Sequence, residues 1–304
     1  MIAAIGLTPA WQQVLQFETI QPGEVNRAVH SAACASGKVL NVAKACFRLG
    51  AATHCVCPVG GPAGDAIVAE FAGLSIATHW VRTAAPTRTC VTLLEESLDR
   101  TTELVENSRP LSPAELRSCL SQGRETLRQA SVAVLSGSLP PETPPEFYAR
   151  LLEDFGGTTI VDARGPELLA ALACRPFLVK PNREELSRTL GRAIEDETSL
   201  RDGIRELNHR GAEWVLVTDG PRPAWLSSQE EQWRIDPIAV ANVVNPIGCG
   251  DSVAAGIAVG IAEGLDVADA VSLGLAAGAA NASRLLPIDF DRDEVDRLRA
   301  AIES

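Results

Sequence analysis

Between residues 131 and 217 short apolar runs take turns with amphipathic ones, and this alternation limits the fold more than any other feature of the chain. Ser131–Ser136, Thr158–Asp162, Phe177–Lys180 and Trp214–Val217 read as buried strands. Between them 145–155, 166–173, 183–190 and 199–210 read as helices. Strands that alternate with helices make a parallel sheet covered on both faces. The first third begins the same way. Met1–Leu7, Thr53–Val59 and Ile76–Arg82 are strand-like, with helices over Gly37–Leu49, capped by Gly50, and Gly64–Gly73. Ser112-Pro113-Ala114-Glu115 opens a long helix with a capping-box pattern. After a hairpin over Trp225–Ile235, helices are expected at 250–263, 268–285 and 291–302. Two stretches break the alternation, 12–32 and 88–106, and both are β-like. With no repeat, low-complexity segment or linker, residues 1–304 are expected to form a single α/β domain.

A chain that is 46% hydrophobic and 22% charged is globular. Its net charge of -12 argues against nucleic acid and against an anionic membrane surface as partners. No apolar run reaches membrane-spanning length; Val253–Ile261 stops at Glu263. The start, Met1–Leu7, has no basic region and is too short for a signal peptide, so a cytoplasmic location is expected. The eight cysteines are scattered, without C-x-x-C or zinc spacing, and are expected to be buried free thiols. Cys55 and Cys57 alternate with Val56 and should face one side of a strand.

The chemistry points to Asn245–Gly256, which reads N-P-I-G-C-G-D-S-V-A-A-G. Gly248, Cys249 and Gly250 precede a helical run, so they sit at a helix N-terminus, where unpaired N–H groups favour an anion. Asp251 is no partner for an anion. Its use there is to take a proton from a nucleophile attacking the bound group, which describes phosphoryl transfer to a hydroxyl. The plainer alternative is a Gly-rich turn with Asp251 as a capping residue.

Other segments decide between these readings. Asn245–Gly256 resembles the C-terminal signature of the ribokinase-like, or PfkB, carbohydrate kinases. Ser36-Gly37-Lys38 through Asn41 resembles the N-terminal glycine-rich signature of that family. Ser136-Gly137-Ser138-Leu139-Pro140, Lys180-Pro181-Asn182-Arg183-Glu184-Glu185 and Val217-Thr218-Asp219-Gly220 resemble its S-G-S-L-P, K-P-N-x-x-E and V-[ST]-x-G segments, in the same order.

The resemblance implies a three-layer αβα fold with a mostly parallel sheet, and a small β-sheet lid formed by 12–32 and 88–106. It implies attack of a sugar hydroxyl on the γ-phosphate of ATP, with Asp251 as base and the amides of Gly248, Cys249 and Gly250 as anion hole. Asn182 and Glu185 would help hold Mg²⁺ through water; the same pair also reads as an N-cap with its capping-box glutamate. Lys180 is either a phosphate contact or a strand-end lysine. Thr218, Gly220, Gly278 and Asn281 are candidates for the nucleotide side. The small residues around Gly274 and Ala277 fit close helix packing as well as an adenine slot. A homodimer joined through the lid is expected, because a small open sheet leaves bare edges.

For the acceptor, Gly37, Lys38, Asn41, Arg88 and Glu103 are the candidates, with Gln12. Thr102-Glu103-Leu104-Val105-Glu106 resembles the T-E-x-x-E segment of the 1-phosphofructokinase and tagatose-6-phosphate kinase branch. Lys38 and Arg88 would grip a substrate phosphate from opposite sides of the cleft. The chain departs from that branch at Gln12, where an aspartate is usual, at Ser36 and Val39, where glycines are usual, and at Arg164, where a serine is usual. These departures leave open a free sugar or nucleoside as acceptor, and a binding protein that has lost turnover.

Overall fold

The computed structural model describes residues 1–301. Its strands are β1 (Ile2–Ile5), β2 (Ala10–Phe17), β3 (His30–Ser36), β4 (Thr53–Val59), β5 (Ala77–Arg82), β6 (Arg88–Glu95), β7 (Arg100–Val105), β8 (Val132–Ser136), β9 (Thr158–Asp162), β10 (Leu178–Val179), β11 (Trp214–Asp219), β12 (Arg222–Ser227) and β13 (Gln232–Ile235). Its helices are α1 (Lys38–Arg48), α2 (Gly61–Ala72), α3 (Pro113–Leu127), α4 (Phe147–Leu152), α5 (Gly165–Ala171), α6 (Arg183–Leu190), α7 (Glu197–Arg210), α8 (Cys249–Ala262), α9 (Val267–Ala282) and α10 (Arg292–Ala300). The expected last helix reached Ile302, which lies outside the described residues.

One sheet runs in the order β13-β12-β11-β10-β9-β8-β1-β4-β5. From β11 to β5 every pairing is parallel, while β12 and β13 add an antiparallel edge, the expected hairpin with its first strand starting earlier, at Arg222. Side chains alternate between two cores. Ile2, Ala4, Cys55 and Cys57 pack under α1, α2, α8 and α9. Ala3, Ile5 and Val56 pack under α3, α4, α5 and α7. This is the layered arrangement that the strand-helix alternation predicts.

Both irregular stretches join one small sheet, ordered β3-β2-β6-β7. β2 pairs in parallel with β6, which sets Gln12 opposite Cys90 on one side and Cys34 on the other. The strands occupy 10–17 and 30–36 where 12–32 was expected, because the polar stretch between them turns instead of pairing.

Helix ends follow local chemistry. Ser112 caps α3 with the reciprocal bond to Glu115. Asp196 caps α7 through Ser199, so that helix begins before its expected start at Ser199. α8 and α9 touch through glycines: a Cβ on Gly256 would lie 2.6 Å from the Gly274 Cα. Gly274 therefore serves helix packing. Cysteines 34, 46, 55, 57, 90 and 119 are buried free thiols, but Cys174 is exposed and Cys249 half-buried, which corrects the expectation for those two. Among the described residues no helix is long and apolar enough to cross a membrane.

Candidate active site

The parallel strands all point their C-terminal ends at one rim, where an α/β sheet presents its ligand-binding loops. Thr8, Gly137, Ser138, Asp162, Lys180 and Thr218 leave the sheet there, and the small sheet and the start of α8 stand over them. Together they enclose a cavity of about 1030 Å³.

At the start of α8 the backbone of Gly248 is left-handed, with φ 88°. A side chain there would be strained, and its Cβ would meet Pro287 at 2.9 Å. This turn sets Gly248, Cys249 and Gly250 in the cavity wall, with the Cys249 amide donating to the Pro246 carbonyl at 3.3 Å. Lys180 stands close to them; a Cβ on Gly250 would lie 3.4 Å from its Nζ. Asp251 follows in the first turn, buried, and its Oδ2 accepts a 2.7 Å hydrogen bond from Asn41 Nδ2. Asn41 in turn accepts from the Ser36 hydroxyl at 3.1 Å. Burial raises the Asp251 carboxyl to about 6, and Asp162 adds to the rise, while Lys38, Asn41 and Lys180 oppose it. The group is therefore ionised at neutral pH yet basic enough to accept a proton. Cys249 is different: burial pushes its thiol to about 11, so it stays protonated.

Asp162 is the residue that sequence reasoning missed. It is fully buried at the end of β9, with Lys38 Nζ at 2.8 Å and Lys180 Nζ at 3.3 Å. Burial opposes its ionisation, but Lys180 and Lys38 outweigh that and hold it below the usual range. Lys38 also donates to Glu185 Oε1 at 2.8 Å. Glu185 Oε2 accepts from the Asn182 amide at 3.0 Å, and Asn182 Oδ1 accepts from the Glu185 amide at 2.8 Å. The capping-box reading of this pair is thus observed. Two signals pointed to Asp162: an acid closing a strand at its C-terminal end, and its place as the aspartate of the branch's D-x-S-G segment, in which Arg164 replaces the serine.

The small sheet brings Gln12, Arg88 and Glu103 to the same cavity as Gly37 and Lys38. Much of their bonding capacity is used locally. Arg88 donates to the carbonyls of Thr8 at 3.1 Å, and of Pro9 and Glu106 at 3.4 Å. Gln12 Nε2 donates to the Thr92 hydroxyl at 2.8 Å. Burial raises the Glu103 carboxyl against the pull of Arg88. Lys38 was expected to face Arg88 across a substrate phosphate; its ammonium is held by Asp162 and Glu185.

At the other end Thr218, Gly220 and Gly278 line the cavity, and Asn281 does not. Expected as a nucleotide contact, Asn281 is fully buried. Its Nδ2 donates to Ile247 O at 2.8 Å, and its Oδ1 accepts from the Ile288 amide at 2.7 Å. It braces the loop leading into α8, and this corrects the expectation.

Residues 1–292 match the model of the pfkB family carbohydrate kinases. The chain belongs to the PfkB family. Escherichia coli phosphofructokinase-2 in complex with potassium is 27% identical, with 100% of both chains covered and a TM-score of 0.88. The same protein in complex with fructose-6-phosphate gives 27%, 100% of both chains and 0.85. A possible 1-phosphofructokinase from Thermotoga maritima shares the fold at 20% identity and a TM-score of 0.89, covering 99% of this chain and 98% of that one. The two sheets and their helices are the ribokinase-like fold, and as a PfkB kinase the protein is an ATP-dependent phosphotransferase. Among the described residues no cluster of three or more acids, histidines or cysteines makes a dedicated metal cage. Oxygens of Glu185 and Asn182 in the wall of this cavity fit a cation that keeps most of its water, as Mg²⁺ does.

Proposed function

We propose that this kinase transfers the γ-phosphoryl group of ATP to a hydroxyl of a phosphorylated ketohexose, as a 1-phosphofructokinase or tagatose-6-phosphate kinase does. One observation carries the reading: a buried carboxylate, Asp251, held by Asn41 at the N-terminus of a helix that opens on a glycine turn. Asp251 takes the proton of the acceptor hydroxyl as its oxygen attacks phosphorus. The amides of Gly248, Cys249 and Gly250 receive the negative charge of the transferring group, and Lys180 stands beside them. Asn182 and Glu185 are the residues that would hold Mg²⁺ through water; the ion would neutralise phosphate charge when bound. Lys38 adds positive charge between the two substrates. Thr218, Gly220 and Gly278 border the nucleotide base.

For the acceptor, Gln12, Gly37, Asn41, Arg88 and Glu103 are assigned to the sugar, with Arg88 on its phosphate. The likeness to a phosphofructokinase crystallised with fructose-6-phosphate supports a phosphosugar. A second reading, a free sugar or nucleoside, is favoured by the neutral Gln12 and by the buried Ser36 and Val39. On the first reading the chain works as one cytoplasmic kinase unit, paired as a homodimer through the lid. An ATP-consumption screen with Mg²⁺ over fructose 1-phosphate, fructose 6-phosphate, tagatose 6-phosphate, free sugars and nucleosides tests it. The expected result is turnover on a phosphosugar; faster turnover on an unphosphorylated acceptor selects the second reading.

A further inference from the structure

We propose that Thr92 is a positioning residue for the acceptor: it fixes the Gln12 amide so that Gln12 offers the substrate lone pairs only, and takes a hydroxyl there. This rests on the kinase reading above, in which Gln12 faces the acceptor, and deepens it. Gln12 on β2 stands opposite Cys90 on β6. Thr92 lies two residues further along β6, on the same face of the small sheet as Cys90. A glutamine is long enough to reach this diagonal neighbour. Thr92 is fully buried, and Gln12 is 2% exposed although it borders the cavity.

A primary amide has two protons to give and one oxygen that accepts. Both Gln12 protons are spent: Nε2 donates to the Thr92 hydroxyl at 2.8 Å and to the Gln13 carbonyl at 3.3 Å. Turning the amide over would set Oε1 against the Gln13 carbonyl oxygen, two acceptors face to face, so the orientation is decided. Oε1 is the atom left over; among the described residues nothing donates to it. The side chain therefore accepts and does not donate. The aspartate usual at this position also only accepts; the glutamine keeps that sense and drops the charge. An acceptor hydroxyl can donate to Oε1. An ionised phosphate or carboxylate oxygen has no proton to give and would meet a bare carbonyl oxygen. The substrate is thus turned with a hydroxyl toward Gln12 and its anionic group away from it. Thr92 does this through Gln12 alone, without touching the substrate.

A double-mutant cycle separates this role from a structural one. Thr92→Val keeps the size of the side chain and removes its hydroxyl, and Thr92→Ser keeps the hydroxyl. Both are compared with the wild type, Gln12→Leu and the Thr92→Val/Gln12→Leu double variant, and thermal melts check that each is folded. Fructose 1-phosphate, fructose 6-phosphate, tagatose 6-phosphate and free fructose are the acceptors, read by steady-state kinetics and by calorimetry. Where turnover is too slow to read, the calorimetric Kd takes the place of KM. Thr92→Val should raise KM for the preferred acceptor roughly three- to tenfold, with kcat and KM for ATP within about twofold of the wild type. Thr92→Ser should recover most of the loss. Gln12→Leu should raise the same KM at least as far, and Thr92→Val should add nothing beside it. At least one monodeoxy analogue of the preferred acceptor should lose a similar factor with the wild type but not with Gln12→Leu. An unchanged acceptor KM in Thr92→Val, an effect that persists beside Gln12→Leu, an equal change in KM for ATP, or monodeoxy analogues that all bind as the parent does would overturn the proposal. The kinase reading is judged separately: wild-type turnover together with any of those results removes the Thr92 role alone, whereas neither turnover nor binding of any acceptor removes both.

Discussion

The two ends of the cavity are assembled in different ways. At the start of α8 the glycine turn and Asp251 come from one continuous stretch, and the turn that sets them is local. The small sheet takes Gln12, Arg88 and Glu103 from β2, β6 and β7, and their relation depends on a register between segments far apart in the chain. Asp251 accepts a bond from a second cavity residue, Asn41. Arg88 donates to scaffold carbonyls, and Gln12 to the buried Thr92. The difference teaches that, on the proposed reading, the transfer chemistry depends on a short motif, while acceptor choice depends on pairing and on which polar atoms the scaffold leaves over.

The largest effect is expected at the local end. Asp251→Asn should lower kcat by on the order of 10²–10⁴-fold with ATP and acceptor binding nearly intact, measured by steady-state kinetics and calorimetry. A variant keeping more than about a tenth of wild-type kcat removes Asp251 as base. In the wild type, protonation silences the base, so kcat should fall as pH drops through about 6. An acid limb near the ordinary carboxylate value would show that burial does not set this group.

At the assembled end, Arg88→Ala should raise KM for the phosphosugar by roughly tenfold, with a smaller change for ATP. Arg88→Lys should recover only part, because the planar fork is lost. Equal changes in both KM values would mean that Arg88 acts through the carbonyls it ties. Glu185→Gln should raise the Mg²⁺ concentration for half-maximal rate severalfold while melting as the wild type does; an unchanged requirement leaves this pair its capping role alone.

The smallest effect is on stability. Asp251 has its pKa raised in the fold, so ionising it costs native stability as pH rises from about 4 to about 6. Asp251→Asn should therefore melt above the wild type at pH ~8 and lose that advantage below pH ~4. Each tenfold change in proton affinity between the folded and unfolded chain is worth about 1.4 kcal/mol, which sets the size of the gain. A lower melting temperature at both pH values would show that the Asn41 contact outweighs the buried charge.

Much of this was legible in the residues. The alternation after residue 131 specified the parallel sheet, since strand and helix periods differ and each core face repeats its own. Caps such as Ser112 and Asn182 were legible because their bonds span three residues. Asp162 was not, because its segment departs from the family pattern at Arg164 and its partners Lys38 and Lys180 lie elsewhere in the chain. Asn281 was misread for a related reason: the spacing of small residues on α9 does not say whether a side chain faces the cavity or the loop behind it. Lys38 was located correctly in its signature, but the acids that hold its ammonium became visible only in three dimensions.

The position of β1 has a consequence for how the chain must be made. β1 lies in the interior of the large sheet, between β4 and β8, and is made before either of them. Its β4 edge is satisfied once residue 56 has been synthesised, but its other edge waits for Val132–Leu135. A nascent chain stalled between these points carries an apolar edge open to any extended segment nearby.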